Sequence, residues 1–497
     1  MIFDLLIVGG GINGCAIARD AAGRGLSVRL VEQQDLASGT SSASTKLIHG
    51  GLRYLELYEF RLVHEALAER ELLLAAAPHI IWPLKFVLPH EKGLRPVWML
   101  RLGLFLYDHL ARRKRLEGSH MVSLKGNALG APLRDSYNVG FTYADCWVED
   151  SRLVVMNALD AKERGATISV GARLTQARRE NGRWLATLED GTQLEARALV
   201  NAAGPWVSQV IEDALHVPAR KHVRLVKGSH LVTRKLYDGP HAYILQNPDG
   251  RIVFAIPYEQ DFTLIGTTDV PYAGAPGVVG ISEVETEYLL DSINHFLRTP
   301  VTRDDIVWSY AGLRPLYDDG ALNASVVTRD YAFDLDAPDG LAPALSIFGG
   351  KITTARRLAE HALDDLAPFL PPHGASWTAE GVFPGGEASF EEVVAKLESE
   401  KPFLGPALIH RLARAYGARA ERFLKQAHAI EDLGRDFGGG LTEAELSYLI
   451  ENEWARKADD VLWRRSKLGL HMSAEEQRAL RDYMDAPSPR NAGRGLG

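Results

Sequence analysis

The stretch Leu5-Leu6-Ile7-Val8-Gly9-Gly10-Gly11-Ile12-Asn13-Gly14 decides how the chain is read. Leu5 to Val8 is a short apolar run, the pattern of a strand buried on both faces. Gly9-x-Gly11-x-x-Gly14 follows at once, and then a helical stretch from Cys15 to Ala22. In such a unit the first glycine permits a tight turn, the second lets the backbone approach a pyrophosphate, and the third lets helix and strand pack closely. The helix N-terminus adds N–H donors and partial positive charge. Gly23 and Gly25 end the helix, Ser27 to Val31 forms a second strand, and Glu32 closes it where an acid can hold ribose hydroxyls. Strand, turn, helix and acid together point to dinucleotide binding. The fingerprint alone does not separate FAD from NAD.

Around this unit lies a chain of 497 residues, long enough for two to four domains at roughly 150 residues each. Fifty-six basic and 64 acidic residues give a net charge of −8, which argues against a surface built for nucleic acid. A hydrophobic content of 46% excludes a disordered or fibrous chain. The two cysteines, Cys15 and Cys146, exclude a disulfide scaffold, a cysteine-ligated iron–sulfur cluster and an all-cysteine zinc site. No C-x-x-C-H haem site is present. Asp334-x-Asp336-x-x-Asp339-Gly340 departs from a calcium loop, because Pro338 takes the third acidic position; it reads as a surface turn, and no metal is expected. Met1-Ile2-Phe3-Asp4 lacks a basic leader, and a cytoplasmic setting is expected.

Further along, Glu56 to Ala77 has helical period. Thr167 to Val200 is β-like, with turns at Glu180-Asn181-Gly182 and Glu189-Asp190-Gly191, and Val223 to Asp269 reads as several strands. From about Ala375 the chain becomes rich in Ala, Leu, Glu and Arg, with capping boxes at Ser389/Glu392, Thr442/Glu445 and Ser473/Glu476. This reads as a separate helical domain over 375–485, followed by a disordered tail over 486–497.

The run from Thr40 to Tyr54, TSSASTKLIHGGLRY, is dense in hydroxyls, glycines and cations. Such a loop can line a diphosphate and bring side chains to a flavin ring; a Ser-rich surface loop would not explain its Lys/His/Arg/Tyr half. With Gly9–Gly14, Glu32, NAAGPW, KGSHLV, IGTTD, GLRPL, TRDY and FGGKITTAR, the chain resembles the FAD-dependent respiratory sn-glycerol-3-phosphate dehydrogenases of aerobic bacteria over essentially its whole length.

That resemblance implies a mixed α/β fold. A Rossmann-like FAD-binding part (1–80, 141–215 and 310–372) would interleave with an antiparallel-sheet substrate and membrane-facing part (81–140 and 216–309), as in D-amino-acid-oxidase-like proteins. It implies FAD held by Gly9, Gly11, Ile12, Asn13, Gly14, Glu32, Thr40, Ser41, Ser42, Thr45, Lys46, Leu47, Gly350, Lys351 and Thr353. Phosphate recognition falls to Arg314 and Arg329, with Arg53, Tyr54 and Thr268 facing the substrate. Guanidinium groups suit a phosphate because they bind oxygens bidentately and stay charged. Lys351, at a helix start after Gly349-Gly350, would stabilise negative charge on the reduced cofactor. His49 is the best base for the hydroxyl proton, with His230 a weaker rival. The implied reaction moves a hydride from C2 of glycerol 3-phosphate to the flavin and passes electrons on to a membrane quinone. An oxidase using oxygen on the same fold is the enzymatic alternative. A tRNA-binding or non-catalytic flavoprotein is the alternative from another class, disfavoured by the acidic balance. Oligomeric state stays open, a homodimer included.

A quinone lives in the bilayer, so its reductase must touch that surface. Leu94 to Arg115 has the composition for peripheral attachment at the inner face of the cytoplasmic membrane: Val97, Trp98, Met99, Leu100, Leu102, Leu104, Phe105, Leu106 and Tyr107, then Arg112-Arg113-Lys114-Arg115. The alternative is a core helix with a solvated basic end.

Overall fold

A computed structural model of the chain describes residues 1–91, 96–318 and 330–486. Arg329, Leu94, Arg95 and the tail from residue 487 lie outside the described residues. Two compact units are present, Met1–Val382 and Phe383–Gly497.

Among the described residues, the first sheet of the larger unit has eight strands. Its centre is Ile2–Val8, flanked in parallel by Val28–Glu32 on one side and Gln193–Asn201 on the other. Thr167–Val170 and Ala344–Phe348 extend it in parallel. Leu5, Leu6 and Ile7 have no exposed surface, as the unbroken apolar run predicts for a strand covered on both faces. Helix α1 (Ile12–Gly23) follows the glycine turn and lies against the helix Ala355–Leu366. The hairpin Leu174–Glu180/Arg183–Leu188 turns at Asn181-Gly182, where both residues have positive φ.

The second sheet, ten strands among the described residues, is mainly antiparallel. Its long pairs are Val223–Arg234 with Ile306–Tyr317, and Ile81–His90 with Val139–Val148. These pairings move two of the expected boundaries. Residues 141–148 and 310–317, expected in the FAD-binding part, belong to strands of the second sheet, where they find their ladder partners. The compact C-terminal unit begins at Phe383, and residues 375–382 ahead of it are held by the larger unit, Trp377 above all. Its indole donates to the Asp20 carbonyl (3.2 Å) and lies under the Arg164 guanidinium (3.8 Å).

The expected helix from Glu56 splits. A 3₁₀ turn spans Leu52–Leu57, Tyr58 takes φ +58°, and α2 runs Phe60–Ala76. The left-handed Tyr58 ends one helix and lets the next start in a new direction. Two more helices matter below: α3 (Val97–His109) and α4 (Asp150–Glu163). In the C-terminal unit, Ser389 and Ser473 form the expected reciprocal caps. Thr442 caps the Glu445 N–H, but the Glu445 carboxylate is drawn inward to Arg411 and Tyr416.

Candidate active site

Val8, Glu32 and Asn201 end neighbouring parallel strands on one edge of the first sheet. In open α/β sheets the crevice beyond these carboxyl ends is where ligands bind. A cavity of about 710 Å³ opens there, walled by the glycine turn, Glu32, Thr40 and Ser41, Ala202 to Trp206, and Gly349-Gly350. The three motif glycines differ in kind. A Cβ on Gly9 would stand 2.5 Å from the Ala202 carbonyl oxygen, and one on Gly14 would stand 2.0 Å from that of Gly9. A Cβ on Gly11 would meet only Ser41 Oγ, at 3.3 Å, and otherwise project into open space. Two glycines thus serve packing, and the third keeps the cavity floor bare.

Glu32 accepts from the N–H of Gly10 (2.6 Å) and of Gln34 (2.8 Å). Burial pushes its carboxyl above the ordinary value, opposed by those N–H groups. Asn13 donates to the Gly349 carbonyl (3.2 Å), while its own buried Oδ1 has no partner. Gly9, Gly11, Ile12, Asn13, Glu32, Thr40, Ser41 and Gly350 all line the cavity.

Other expected cofactor residues point elsewhere. Thr40 donates to the Leu313 carbonyl (2.5 Å) and Tyr310 donates to that of Ser44 (2.8 Å), so strand Ile306–Tyr317 carries the loop. Below it, Lys46 is fully buried and paired with Asp150 at 2.8 Å. The expectation that Lys46 contacts the cofactor is therefore corrected: its ammonium is consumed by the carboxylate at the start of α4. Leu47 packs inward, in ladder with Trp147. Ser42 offers its carbonyl to Lys46 (3.3 Å), and Thr45 pairs with His230 (3.0 Å). Thr268 is corrected likewise. Its buried hydroxyl donates to Glu285 (2.9 Å) and accepts from the Ser229 N–H (3.0 Å), so it is already engaged within the chain.

Catalytic candidates gather in two groups. In the first, the His49 N–H donates to Thr353 (3.4 Å), and Lys351 Nζ sits 4.0 Å above the Tyr54 ring. Arg53 shares the 3₁₀ turn with Tyr54. In the second, Arg314 is held by Asp269 and by Thr267 (2.7 Å), one residue from the cavity-lining Pro315. His230 stacks on Tyr310, with centroids 4.7 Å apart. Burial, with the charges of Arg314 and Lys46, pushes its pKa well below the ordinary value, so it is neutral.

Several functional partners escaped the sequence reading. Asp269 stood in the IGTTD motif beside Thr268, but the arginine it holds lies 45 residues away, so nothing local marks the pair. Glu285 carried a readable signal, the box Ser282-x-x-Glu285, and its second role under Thr268 and Lys227 did not. Asp150 lies 104 residues from Lys46 and left no trace.

The sequence pattern of the family described as FAD dependent oxidoreductase matches residues 4–362, and that of the C-terminal domain of alpha-glycerophosphate oxidase matches 376–488. The chain is 51% identical to the aerobic glycerol-3-phosphate dehydrogenase of Escherichia coli (strain K12), over 97% of both chains. It is 50% identical to the D-erythritol 1-phosphate dehydrogenase of Brucella abortus (strain 2308), again over 97% of both. Among solved structures, the glycerol-3-phosphate dehydrogenase from Bacillus halodurans complexed with FAD superposes with a TM-score of 0.73 at 27% identity, covering 97% of this chain and 94% of that one.

Proposed function

The chain belongs to the FAD-dependent oxidoreductase family, and from that premise we propose that it oxidises the C2 hydroxyl of sn-glycerol 3-phosphate to give dihydroxyacetone phosphate. Its cofactor is FAD. The cavity fits that group: a bare floor at Gly11, an unpartnered buried acceptor on Asn13, and the Glu32 carboxylate at the far strand end. Gly11, the Asn13 main chain, Ser41 and the loop at Thr40 would hold the diphosphate portion through N–H and O–H donors, and Glu32 would accept from the ribose. Bound FAD accepts the two electrons that leave the alcohol.

The chain's own residues do the rest. Arg314, Arg53 and Arg329 bind the substrate phosphate. Asp269 and Thr267 fix the Arg314 guanidinium before substrate arrives, which lowers the ordering cost of binding. Tyr54, under the Lys351 ammonium, walls the substrate, and Lys351 supplies positive charge beside the flavin. His49 takes the hydroxyl proton. The observation that carries this reading is Arg314 standing next to Pro315 at the wall of the dinucleotide cavity. A second reading, D-erythritol 1-phosphate as substrate, draws on the Brucella relative; both compounds present a phosphate monoester on a polyol to the same arginines. The test is anaerobic bleaching of the flavin band. Rapid bleaching by sn-glycerol 3-phosphate and slow bleaching by glycerol support the proposal. Faster bleaching by D-erythritol 1-phosphate selects the second reading, and equal bleaching by glycerol overturns both.

The electron acceptor in this proposal is a membrane quinone, reached by peripheral docking at the inner face of the cytoplasmic membrane. Among the described residues no helix is long and apolar enough to cross a membrane. Helix α3 exposes Trp98, Met99, Leu102 and Phe105 while burying Leu104 and Tyr107. Arg112, Lys114 and Arg115 follow it, exposed, whereas Arg113 is half-buried against Asp108 (3.3 Å). Each exposed cation contributes about 1 kcal/mol at an anionic surface. Changing Arg112, Lys114 and Arg115 to Ser should weaken vesicle binding and leave turnover with a soluble dye unchanged; equal vesicle binding by parent and variant at low salt removes this cluster from the docking face. Hydrogen peroxide formed at the dye-reduction rate would favour an oxidase.

A further inference from the structure

The main chain that carries His49 passes over a buried ion pair. The backbone ladder joins Leu47 to Trp147 and Ile48 to Cys146, and there it ends. The next residue along the second strand is Asp145, and its carboxylate takes over where the ladder stops. It receives Tyr107 Oη at 2.7 Å, Arg70 Nη1 at 2.5 Å and, more weakly, the Gly50 N–H at 3.4 Å. That same N–H makes its shorter bond, 2.9 Å, to Tyr107 Oη. Arg70 also donates to the Ala144 carbonyl (2.9 Å). Arg70, Tyr107 and Asp145 each have only 2% of their surface exposed.

Gly50 fits this rest because it has no side chain. A Cβ there would stand 2.3 Å from Leu67 and 2.7 Å from Tyr107 Oη. With Ile48 and Gly50 both buried, His49 between them is left half-buried, facing the other way. Gly51 then takes φ +76° and starts the turn that bears Arg53 and Tyr54. Burial and the Asp145 charge hold the Tyr107 phenol well above its ordinary pKa, so it stays a donor at neutral pH. A buried ion pair is weak evidence for stability, since an apolar replacement of similar volume is often as stable. What an apolar replacement lacks is a directed acceptor for the Gly50 N–H.

We infer that Arg70, Asp145 and Tyr107, from α2, the strand Val139–Val148 and α3, are positioning residues that fix the Gly50 amide and thereby set His49, Arg53 and Tyr54 over the substrate. The inference rests on the active-site role proposed above for those three side chains.

Tyr107→Phe removes the hydroxyl and keeps the ring. In the FAD-loaded variant, amide exchange over residues 47–54 should accelerate and kcat should fall, each about tenfold, the scale of one lost buried hydrogen bond. KM should change less than kcat, with Tm and the flavin spectrum near those of the parent. Tyr143→Phe is the control. It removes the hydroxyl from the buried ring that meets Tyr107 edge-on, 5.8 Å away, and should move neither readout. Asp145→Asn should slow turnover further; if it fails to fold, the tyrosine variant still decides. Unchanged exchange in Tyr107→Phe overturns the rest itself. Faster exchange with parental kcat overturns its catalytic purpose, as does a loss of kcat that merely follows loss of FAD. His49→Gln, assayed beside it, separates the underlying reading: full activity in that variant refutes the role of His49 and leaves the exchange result standing on its own.

Discussion

The glycine turn Gly9–Gly14 and the segment Lys46–Tyr54 are both built for close approach, and they are held by opposite means. At the turn, backbone meets backbone: Gly14 closes on the carbonyl of Gly9, and Gly9 on that of Ala202. No charge is involved, and the geometry is steric. At the segment, two buried ion pairs, Lys46–Asp150 and Arg70–Asp145, grip the chain from below. A steric site fails when an atom is added, and an electrostatic one fails when an atom is removed.

The largest effect should follow from adding atoms at the turn, and the two glycines should part company. Gly14→Ala places a Cβ at 2.0 Å from a backbone oxygen that cannot move aside, so the chain should fail to fold or lose several kcal/mol in a denaturation curve. Gly11→Val should fold, as circular dichroism would report, and purify colourless. A yellow Gly11→Val protein would mean that this turn does not face the cofactor.

Removing atoms below the segment comes next. Lys46→Met leaves Asp150 buried without its cation and should cost about 3–5 kcal/mol of stability. Asp150→Asn added to it should recover part of that loss. A single variant as stable as the parent would place the pair in the solvated class.

Arg314→Ala tests a charge that is neither packed in nor fully solvated, its side chain 21% exposed. Loss of a charge-assisted bond to phosphate should cost roughly 1.5–3 kcal/mol, read as a fall in kcat/KM with sn-glycerol 3-phosphate. The already slow reaction of glycerol should not change. An equal fall for both compounds would mean that Arg314 does not read the phosphate.

A further expectation is a pH limb. Burial alone would raise the Glu285 carboxyl, but hydrogen bonds from Lys227, Ser282 and Ser229 outweigh it and bring the pKa down to about 2. A depressed acid contributes stability that is present above its unfolded value, about 4.5, and is lost as pH falls through the folded one. Parent and Glu285→Gln should therefore converge in stability as pH drops from about 4.5 to about 2. Parallel curves over that interval would remove the Lys227–Glu285 contact from the stability of this region.

The same contrast explains how much could be read in advance. The strand–turn–helix and Glu32 were legible because each spacing is local and each glycine answers a nearby backbone. The helical unit and its caps at Ser389 and Ser473 were legible for the same reason. Lys46 was expected among the FAD-holding residues because its partner comes from a distant helix start, and a lysine among serines carries no mark of burial. Thr268 failed similarly: only the fold brings Glu285 under it. The boundaries near 141 and 310 slipped because a strand's sheet is chosen by its partner, and Val139–Val148 is as apolar as a first-sheet strand would be.

Cys15 and Cys146 both lie buried with no exposed surface, and burial pushes the Cys146 thiol upward, away from its reactive form. The protein is therefore chemically silent towards maleimides while folded. A cysteine introduced at Phe105, on the outward face of α3, would be the sole residue to take a fluorophore, and the colour of its emission would report whether that helix meets lipid at all, with no native thiol to replace first.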